Sequence, residues 1–328
     1  MAHQSEITAP DGIADLWQAP EITPRPIRVG IQGVAGAFHE IAARQFFGQD
    51  IGIVPALSFS ALFEAAADPE ATDAAVVAIE NSIAGSILGN YNLLTDSNLT
   101  VTGEVYLHIR QNLLVLPGAT LADLSEVHSH PIALAQCAAF FKNLPHIRLM
   151  ESVDTAESAA QVSRNRTKHI GAIAGTPAAE RYGLHILAAG IETLPENYTR
   201  FLVLSRQAGT GTGTGTGGFS RRNPSNNRLN TPHAPPNKAS VCFTTPHEPG
   251  SLARILNLLA AEGANLTKIQ SVPLPGRPWE YRFFADFTAI ARIDAILDKL
   301  KPKTIDLRIL GVYREGDWEI TNQQKPRL

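Results

Sequence analysis

A low-complexity segment at residues 207–237 divides this chain and limits how it can fold. A Thr-Gly repeat occupies residues 209–218, and a stretch rich in Arg, Asn and Pro follows it. The segment has too few apolar side chains to offset the conformational entropy that folding costs, so we predict a flexible linker. The 328-residue chain is therefore expected to form two domains, at residues 27–206 and 238–316.

The composition and the two chain ends narrow the class of protein. The chain is 44% hydrophobic and 18% charged, as in globular proteins, and its net charge of -3 argues against nucleic acid as a partner. Residues 1–26 are predicted to be a disordered tail without the pattern of a signal peptide, and residues 317–328 a second tail. No stretch has the length of a membrane span. Cys137 and Cys242 are interpreted as buried reduced thiols, and we expect a cytoplasmic protein.

Strands alternate with helices throughout residues 27–206. Ile27–Gln32 has the pattern of a strand, and an Ala-rich run ending at Phe47 has that of a helix. The continuous apolar run at residues 74–79 is typical of a strand buried on both faces. This alternation predicts an α/β domain with a mostly parallel sheet.

Residues 238–316 show a different order of elements. The patterns predict strand, helix, strand, strand, helix and strand at residues 240–244, 252–259, 266–272, 279–287, 290–300 and 305–309. This βαββαβ order is that of a ferredoxin-like fold.

Polar side chains follow the predicted strand at residues 74–79. Asn81, Ser82 and Ser86 could hydrogen-bond a polar ligand, and Gly85 lets backbone N–H groups approach an anion. Ligands of open α/β sheets bind beyond the carboxyl ends of strands, which is where these residues lie. A turn that only caps the next helix is the alternative.

Two predicted helix starts add further candidates. Ser129 or the next residue can cap a helix at residues 132–141 that carries Gln136, and Asp154 or Thr155 can cap a later one. Helix N-termini attract carboxylates. Each start could be scaffold alone, but several of them could converge on one cleft.

Thr199, Arg200 and Phe201 precede a strand-like run at residues 202–204. The Thr199 hydroxyl can donate a hydrogen bond to a departing oxygen, and the Arg200 guanidinium can hold a carboxylate with its planar fork. Alone, a Thr-Arg pair before a strand is more typical of ordinary protein surface. The sequence shows no metal-ligand triad, nucleotide fingerprint or Ser-His-Asp spacing, so no metal or other cofactor is predicted.

Together these segments make the chain resemble prephenate dehydratase with a C-terminal ACT regulatory domain. The likeness covers residues 27–206 and 238–313. The motifs that carry it lie at residues 33–43, 80–86, 103–104, 129–137, 172–187, 197–201, 248–252, 265–269 and 279–281.

The resemblance implies two α/β lobes around a cleft, like a periplasmic binding protein, followed by a ferredoxin-like ACT domain. The implied reaction is loss of water and CO2 from prephenate, which gives phenylpyruvate for L-phenylalanine biosynthesis without a cofactor. Thr199 matches the family's essential hydroxyl and is assigned hydrogen-bond donation, or proton delivery, to the leaving oxygen. The residues predicted to bind substrate are Asn81, Ser82, Gly85, Ser86, Ser129, Gln136, Thr155, Arg200 and Phe201. Arg200 could instead form a structural ion pair.

The resemblance also implies that phenylalanine binds the ACT domain as an effector, in a homodimer or homotetramer. The predicted effector-binding residues are Pro249, Gly250, Ser251, Leu252, Gln270 and Ser271. The family's Glu-Ser-Arg-Pro motif reads Gln-Ser-Val-Pro at residues 270–273 and so lacks two charges. We therefore expect a weakened or altered response to phenylalanine.

Two other functions remain open from the sequence. Arogenate, the aminated relative of prephenate, could be the substrate, because the named cleft residues do not discriminate between the two. A non-catalytic sensor of the same fold could bind a small anion, although a sensor would not need Thr199 in the leaving-group position.

Overall fold

The computed structural model describes residues 25–206, 235–290 and 292–317. Most of the predicted linker and of the two predicted tails lie outside these residues. Within them, no helix is long and apolar enough to cross a membrane.

Both domains alternate strands with helices. The elements of the first domain are β1 (Ile27–Gln32), α1 (Phe38–Phe47), β2 (Ile51–Ala56), α2 (Phe59–Ala67), β3 (Ala74–Asn81), β4 (Gly85–Ser86), α3 (Leu88–Asp96), β5 (Leu99–His108), β6 (Asn112–Val115), β7 (Glu126–Ser129), α4 (Pro131–Gln136), α5 (Ala138–Phe141), β8 (Arg148–Glu151), α6 (Thr155–Asn165), β9 (Ile170–Ala174), α7 (Thr176–Tyr182), β10 (His185–Ala188) and β11 (Tyr198–Arg206). Those of the second are β12 (Lys238–Thr244), α8 (Ser251–Ala261), β13 (Asn265–Pro273), β14 (Tyr281–Thr288), α9 (Ile293–Leu300) and β15 (Ile305–Tyr313).

The first domain has two lobes, each built on its own sheet. The first lobe has the strand order β2-β1-β3-β11-β5, with β4 paired to β3, and the second lobe has the order β10-β6-β9-β7-β8. The chain leaves the first lobe after β5 and returns to it as β11. The two crossings implied by the resemblance are therefore present.

The prediction of a mostly parallel sheet is wrong, because both sheets are mixed. In the first lobe β1 runs parallel to β2 and β3, but β11 runs antiparallel to both β3 and β5. The returning strand enters the sheet from the other lobe and so runs the opposite way. The apolar run in β3 reports burial on both faces, and burial carries no information about strand direction.

The two faces of the first lobe's sheet are covered by different elements. Helix α1 packs on one face, where Ala42 and Ala43 join the cluster around Phe201. On the other face, α2 and α3 share one apolar cluster with the second domain, which contributes Cys242 and Phe284. The second domain therefore closes part of the core of the first.

The second domain has the predicted βαββαβ order, with the antiparallel strand order β13-β14-β12-β15. Helices α8 and α9 pack on one face of this sheet, and the first domain packs on the other. Gly311 in β15 lies so close to β5 that a Cβ atom there would be 2.1 Å from the carbonyl oxygen of Val101. Glycine is therefore required at this crossing of the two backbones.

Local details adjust the predicted helices. The helix expected at residues 132–141 is interrupted at Cys137, whose φ of -101° and ψ of 4° separate α4 from α5. Its N-cap is His130, which accepts a hydrogen bond from the N–H of Ile132. Asp154 caps α6 as predicted, and both cysteines are buried free thiols as predicted.

Candidate active site

Thr199 and Asn81 face each other across the two central strands of the first lobe. They are register partners in the antiparallel pair of β11 and β3, and Asn81 Nδ2 lies 3.0 Å from Thr199 Oγ1. Thr199 is 9% exposed. Because Asn81 donates to the Thr199 oxygen, the Thr199 hydrogen remains available, and no described residue accepts it. The pair therefore presents one hydroxyl donor at the end of the central strands.

The orientation of the Asn81 amide follows from its contacts. Its Oδ1 accepts hydrogen bonds from the backbone N–H groups of Ile83, at 3.0 Å, and Ala84, at 2.8 Å. A flipped amide would point its N–H₂ group at these two donors. The amide nitrogen must therefore face Thr199, and its two hydrogens are shared among Thr199 Oγ1, Asn197 Oδ1 and the carbonyl of Tyr198 at 3.1 Å.

A chain of amide side chains continues from Asn81 into the second lobe. Asn81 Nδ2 is 2.7 Å from Oδ1 of Asn197, and Nδ2 of Asn197 is 2.9 Å from Oε1 of Gln136. Asn197 lies on the returning crossing and is fully buried. Gln136 ends α4 of the second lobe. The chain thus links both lobes to the Thr199 hydroxyl, and Asn197 is its central member.

The sequence identified Asn197 only as part of a motif and not as a site residue. Its one available signal was its position two residues before Thr199 on the same predicted crossing. The partners that define its role, Asn81 and Gln136, lie 116 and 61 residues away. Such long-range contacts leave no local pattern.

Gln111 carries an acceptor without a partner. It lies on the outgoing crossing, where its backbone N–H donates to Glu192 and its Nε2 is 3.5 Å from Oε1 of Gln136. Its own Oε1 is buried and has no hydrogen-bond partner among the described residues. An unpaired buried acceptor costs about 1–3 kcal/mol, so a ligand or a water with a donor group is expected beside it.

Ser82, Ser129 and Thr155 are also predicted to bind substrate, and the first two have structural contacts. Ser82 Oγ donates to Glu196 O at 3.1 Å and accepts from the N–H of Tyr198 at 2.9 Å, which ties the turn after β3 to the returning crossing. Ser129 Oγ is buried and donates to the carbonyl of Ile173 at 2.7 Å. Thr155 is the buried first residue of α6.

Gly85 lies in register with Asn81, the partner of Thr199, whereas Ser86 contacts the second domain. Gly85 is exposed and has a φ of 83°, a left-handed conformation that favours glycine in the turn to β4. Ser86 Oγ lies 2.6 Å from Nζ of Lys268 in the second domain. Ser86 is thus occupied by the contact between domains, which corrects its assignment to substrate.

The assignment of Arg200 to substrate is also corrected. Arg200 is 6% exposed, and its guanidinium contacts Glu104 at 2.7 Å, Asp286 at 2.5 Å and the Tyr313 hydroxyl at 3.1 Å. Burial alone would lower the pKa of Arg200, but Asp286 and Glu104 outweigh it and hold that pKa well above its ordinary value. Neighbouring side chains of a strand point to opposite faces, so Arg200 points away from the Thr199 edge. Arg200 therefore forms structural ion pairs with Glu104 and Asp286.

Phe201 is likewise a core residue. Its ring is 1% exposed and meets the ring of His39 edge-on, with 5.0 Å between centroids. His39 Nε2 accepts from the N–H of Ala78 at 3.3 Å, and burial lowers the pKa of His39 from 6.5 to about 3. Phe201 lies two residues after Thr199 and so on the same face of β11, but farther from the end of the strand, where α1 packs over it.

The two lobes touch at the loop between β1 and α1. Tyr182 Oη donates to the carbonyl of Ala35 at 2.7 Å, and a Cβ atom on Gly33 would lie 2.8 Å from Oδ2 of Asp154. Burial raises the pKa of Asp154, although the N–H groups that it caps oppose the shift. These contacts join the two lobes at this loop.

The second domain contains a separate cavity of about 320 Å³, and three of the six predicted effector residues line it. These three are Gly250, Ser251 and Leu252, at the start of α8, opposite Tyr281 and Phe283 of β14. The other three lie outside this lining, and Gln270 and Ser271 are on β13 at the edge of the sheet.

Comparisons with known proteins agree with this division of the chain. A family model described as prephenate dehydratase matches residues 29–209, and one described as ACT domain matches residues 243–302. Arogenate dehydratase/prephenate dehydratase 2 of Arabidopsis thaliana, a chloroplastic protein, is 37% identical over 300 residues, which are 88% of this chain and 72% of the relative.

Two solved structures resemble most of the chain. Prephenate dehydratase of Arthrobacter aurescens in complex with L-Phe has a TM-score of 0.73 at 26% identity and covers 92% of each chain. GqqA, described as a novel type of quorum quenching acylase, also has a TM-score of 0.73, at 29% identity, and covers 89% of this chain and 99% of its own.

Proposed function

Because this chain belongs to the prephenate dehydratase family, a family of lyase-type dehydratases, we propose that it converts prephenate to phenylpyruvate, CO2 and water. The Asn81–Thr199 pair carries the proposal, since it offers an oriented hydroxyl donor at the edge where two lobes meet. The step would serve L-phenylalanine biosynthesis. The cytoplasmic location expected from the sequence remains a prediction.

The reaction needs positioning more than acid strength. As the ring carboxylate leaves as CO2, the electrons of its C–C bond enter the ring, and the C–O bond to the ring hydroxyl breaks. The departing oxygen takes up a proton from solvent and becomes water. Thr199 donates a hydrogen bond to that oxygen while Asn81 stabilises the Thr199 oxygen. A threonine has too high a pKa to act as an ordinary acid, so the gain comes from a preorganised donor.

The amide chain supplies this preorganisation. Each amide is oriented by the one before it, from the N–H groups of the turn after β3 through Asn81 and Asn197 to Gln136. The donor at Thr199 is thus set before substrate arrives and needs no reorientation during the reaction.

Arogenate is the second candidate substrate, and Gln111 favours it. The unpaired Oε1 of Gln111 could accept a hydrogen bond from the ammonium group of arogenate, whereas the keto group of prephenate offers no donor. Relatives that carry both activities in their names fit either substrate. Gln111→Leu should lower the ratio of kcat/KM for arogenate to that for prephenate if arogenate is used.

Phenylalanine is the proposed effector, bound in the cavity at the start of α8. The L-Phe complex of the Arthrobacter aurescens relative and the ACT family match support this. We further propose a homodimer or homotetramer that forms through the second domain, in which β13 is an edge strand. Titration of phenylalanine against turnover and molecular mass tests both, and a monomer without phenylalanine binding would contradict them.

The deciding experiment is a turnover assay with prephenate and arogenate side by side, with and without a chelator. We expect phenylpyruvate from prephenate at the same rate in both conditions. Formation of phenylalanine from arogenate alone would shift the proposal to the second substrate. Turnover of neither compound, or hydrolysis of an acyl amide in their place, would contradict it.

A further inference from the structure

Two ion pairs join the second domain to the strands that carry the Asn81–Thr199 pair. Arg200 of β11 contacts Asp286 of β14 at 2.5 Å, and Lys268 of β13 contacts Glu80 of β3 at 2.5 Å. Arg200 is the chain neighbour of Thr199, and Glu80 is the chain neighbour of Asn81. Both residues of the pair are therefore one peptide bond from an anchor to the second domain.

The four charged residues form an ordered quartet. Arg200 and Glu80 are register partners in the first lobe's sheet, and Asp286 and Lys268 are register partners in the second domain's sheet. Each charge thus has an opposite charge beside it in its own sheet and another facing it from the other sheet. Sliding one sheet past the other by a single pair would place like charges together, so the quartet permits one register.

Because these side chains are largely buried, placing like charges together here would cost free energy. Side chains of the quartet have exposed fractions of 6% for Arg200, 12% for Asp286, 13% for Lys268 and 31% for Glu80. An apolar cluster shared by the two domains lies beside them. Glu104, whose side chain is fully buried, bridges Arg200 to Lys238 of the second domain. Removing one partner of such a buried pair leaves a charge without compensation.

We propose that Arg200 and Glu80 are positioning residues, which Asp286 and Lys268 hold so that Thr199 and Asn81 keep their catalytic register. The second domain is then part of the scaffold of the active site and not only its regulator. This inference rests on the proposed function. It also explains why Thr199 and Arg200 are adjacent, since Thr199 would contact substrate and Arg200 would hold the strand in place.

Charge substitutions at Lys268 test the proposal, because Lys268 lies outside the cleft and can be changed without touching the amide chain. Lys268→Arg should keep activity. Lys268→Glu should lower kcat by on the order of tenfold or more with little change in KM, since a small displacement of Asn81 affects the transition state more than binding. The double variant Glu80→Lys/Lys268→Glu should recover part of the loss. Recovery stays incomplete because each new charge faces Arg200 or Asp286 in its own sheet.

The matched control is Lys299→Glu, which breaks the ion pair between Lys299 of α9 and Glu262, the residue after α8, on the side of the sheet away from the first domain. Its kcat should equal that of the unmodified protein. Activity of the unmodified protein is measured first, and absence of turnover there would overturn the proposed function and this inference with it. An active protein whose Lys268→Glu variant keeps its kcat, or whose double variant regains thermal stability without regaining kcat, would overturn the inference alone.

Discussion

Asn81 donates a hydrogen bond to the Thr199 hydroxyl at 3.0 Å, although 118 positions separate the two residues in the chain. The contact requires the chain to leave the first lobe, build the second and return as an antiparallel strand. The same return orients every amide between Gln136 and Thr199. The geometry of the site is thus a consequence of the two-crossing topology.

Asn81→Asp should lower kcat by on the order of 10²-fold, a loss comparable to that of one oriented donor. The variant keeps the shape of the side chain but replaces a donor with an acceptor, so the Thr199 hydrogen would turn toward the carboxylate and away from substrate. Steady-state kinetics on prephenate measure the effect. The exposed Asn98→Asp is the control, and equal kcat values for the two variants would contradict the assignment.

Much of this architecture is predictable from sequence because its signals are local. The caps, the strand ends and the βαββαβ order depend on neighbouring residues, and Thr199 is found by its motif. The sequence leaves the role of Arg200 open because its partner Asp286 lies 86 residues away in the other domain. It does not identify Asn197 as a site residue for the same reason. The direction of β11 could not be predicted either, since an apolar strand looks alike in a parallel and an antiparallel sheet.

His39 should make the folded state less stable as the pH falls. Its pKa in the folded state is about 3, whereas in the unfolded chain it is near 6.5. The unfolded state therefore binds more protons than the folded state between these pH values. The contribution of His39 to the free energy of unfolding is complete above about pH 6.5 and declines as the pH falls below it. The slope is about 1.4 kcal/mol per pH unit. Denaturant titrations at several pH values measure it.

His39→Gln is the matched variant for this prediction. A glutamine can still accept the hydrogen bond from the N–H of Ala78 but does not titrate. The variant should lose the part of the pH slope that His39 supplies. The test window is roughly pH 4 to 6, which lies between the two pKa values of His39. If the variant keeps the same slope of stability against pH in this window, other groups cause the slope.

The second domain should be needed for full turnover, whereas its covalent link to the first domain should not. The residues of the amide chain all precede residue 206, which from sequence alone favours an active fragment. Such a fragment should retain some turnover but be less active than the whole chain, because removal of the second domain exposes Leu202 and Leu204 and leaves Arg200 without Asp286. The kcat of a fragment ending at Arg206 should be lower than that of the whole chain by on the order of tenfold or more.

Cleavage of the full chain within residues 207–237 is the control for that fragment. The cut protein should stay active, since the domains remain joined by their apolar cluster and ion pairs. A folded fragment ending at Arg206 with the full kcat of the whole chain would exclude a structural contribution from the second domain.

The reactivity of the two cysteines should report separately on the packing between the domains and on the packing inside the second lobe. Cys242 lies in the cluster between the domains, and Cys137 lies in the core of the second lobe. Burial raises the pKa of both thiols, that of Cys137 to about 12, so both should react slowly with a thiol reagent in the folded protein. Lys268→Glu should speed the reaction at Cys242 and leave Cys137 unchanged. Equal acceleration at both sites would indicate general unfolding.

The most direct test of the catalytic assignment is the turnover of prephenate by Thr199→Ala. We predict that kcat falls by on the order of 10²-fold or more while KM changes little, because the hydrogen bond to the leaving oxygen strengthens only in the transition state. Thr199→Ser should recover part of the rate, and Thr102→Ala, at an exposed position on β5, should leave it unchanged. A Thr199→Ala protein that turns over prephenate at the unmodified rate would contradict the account.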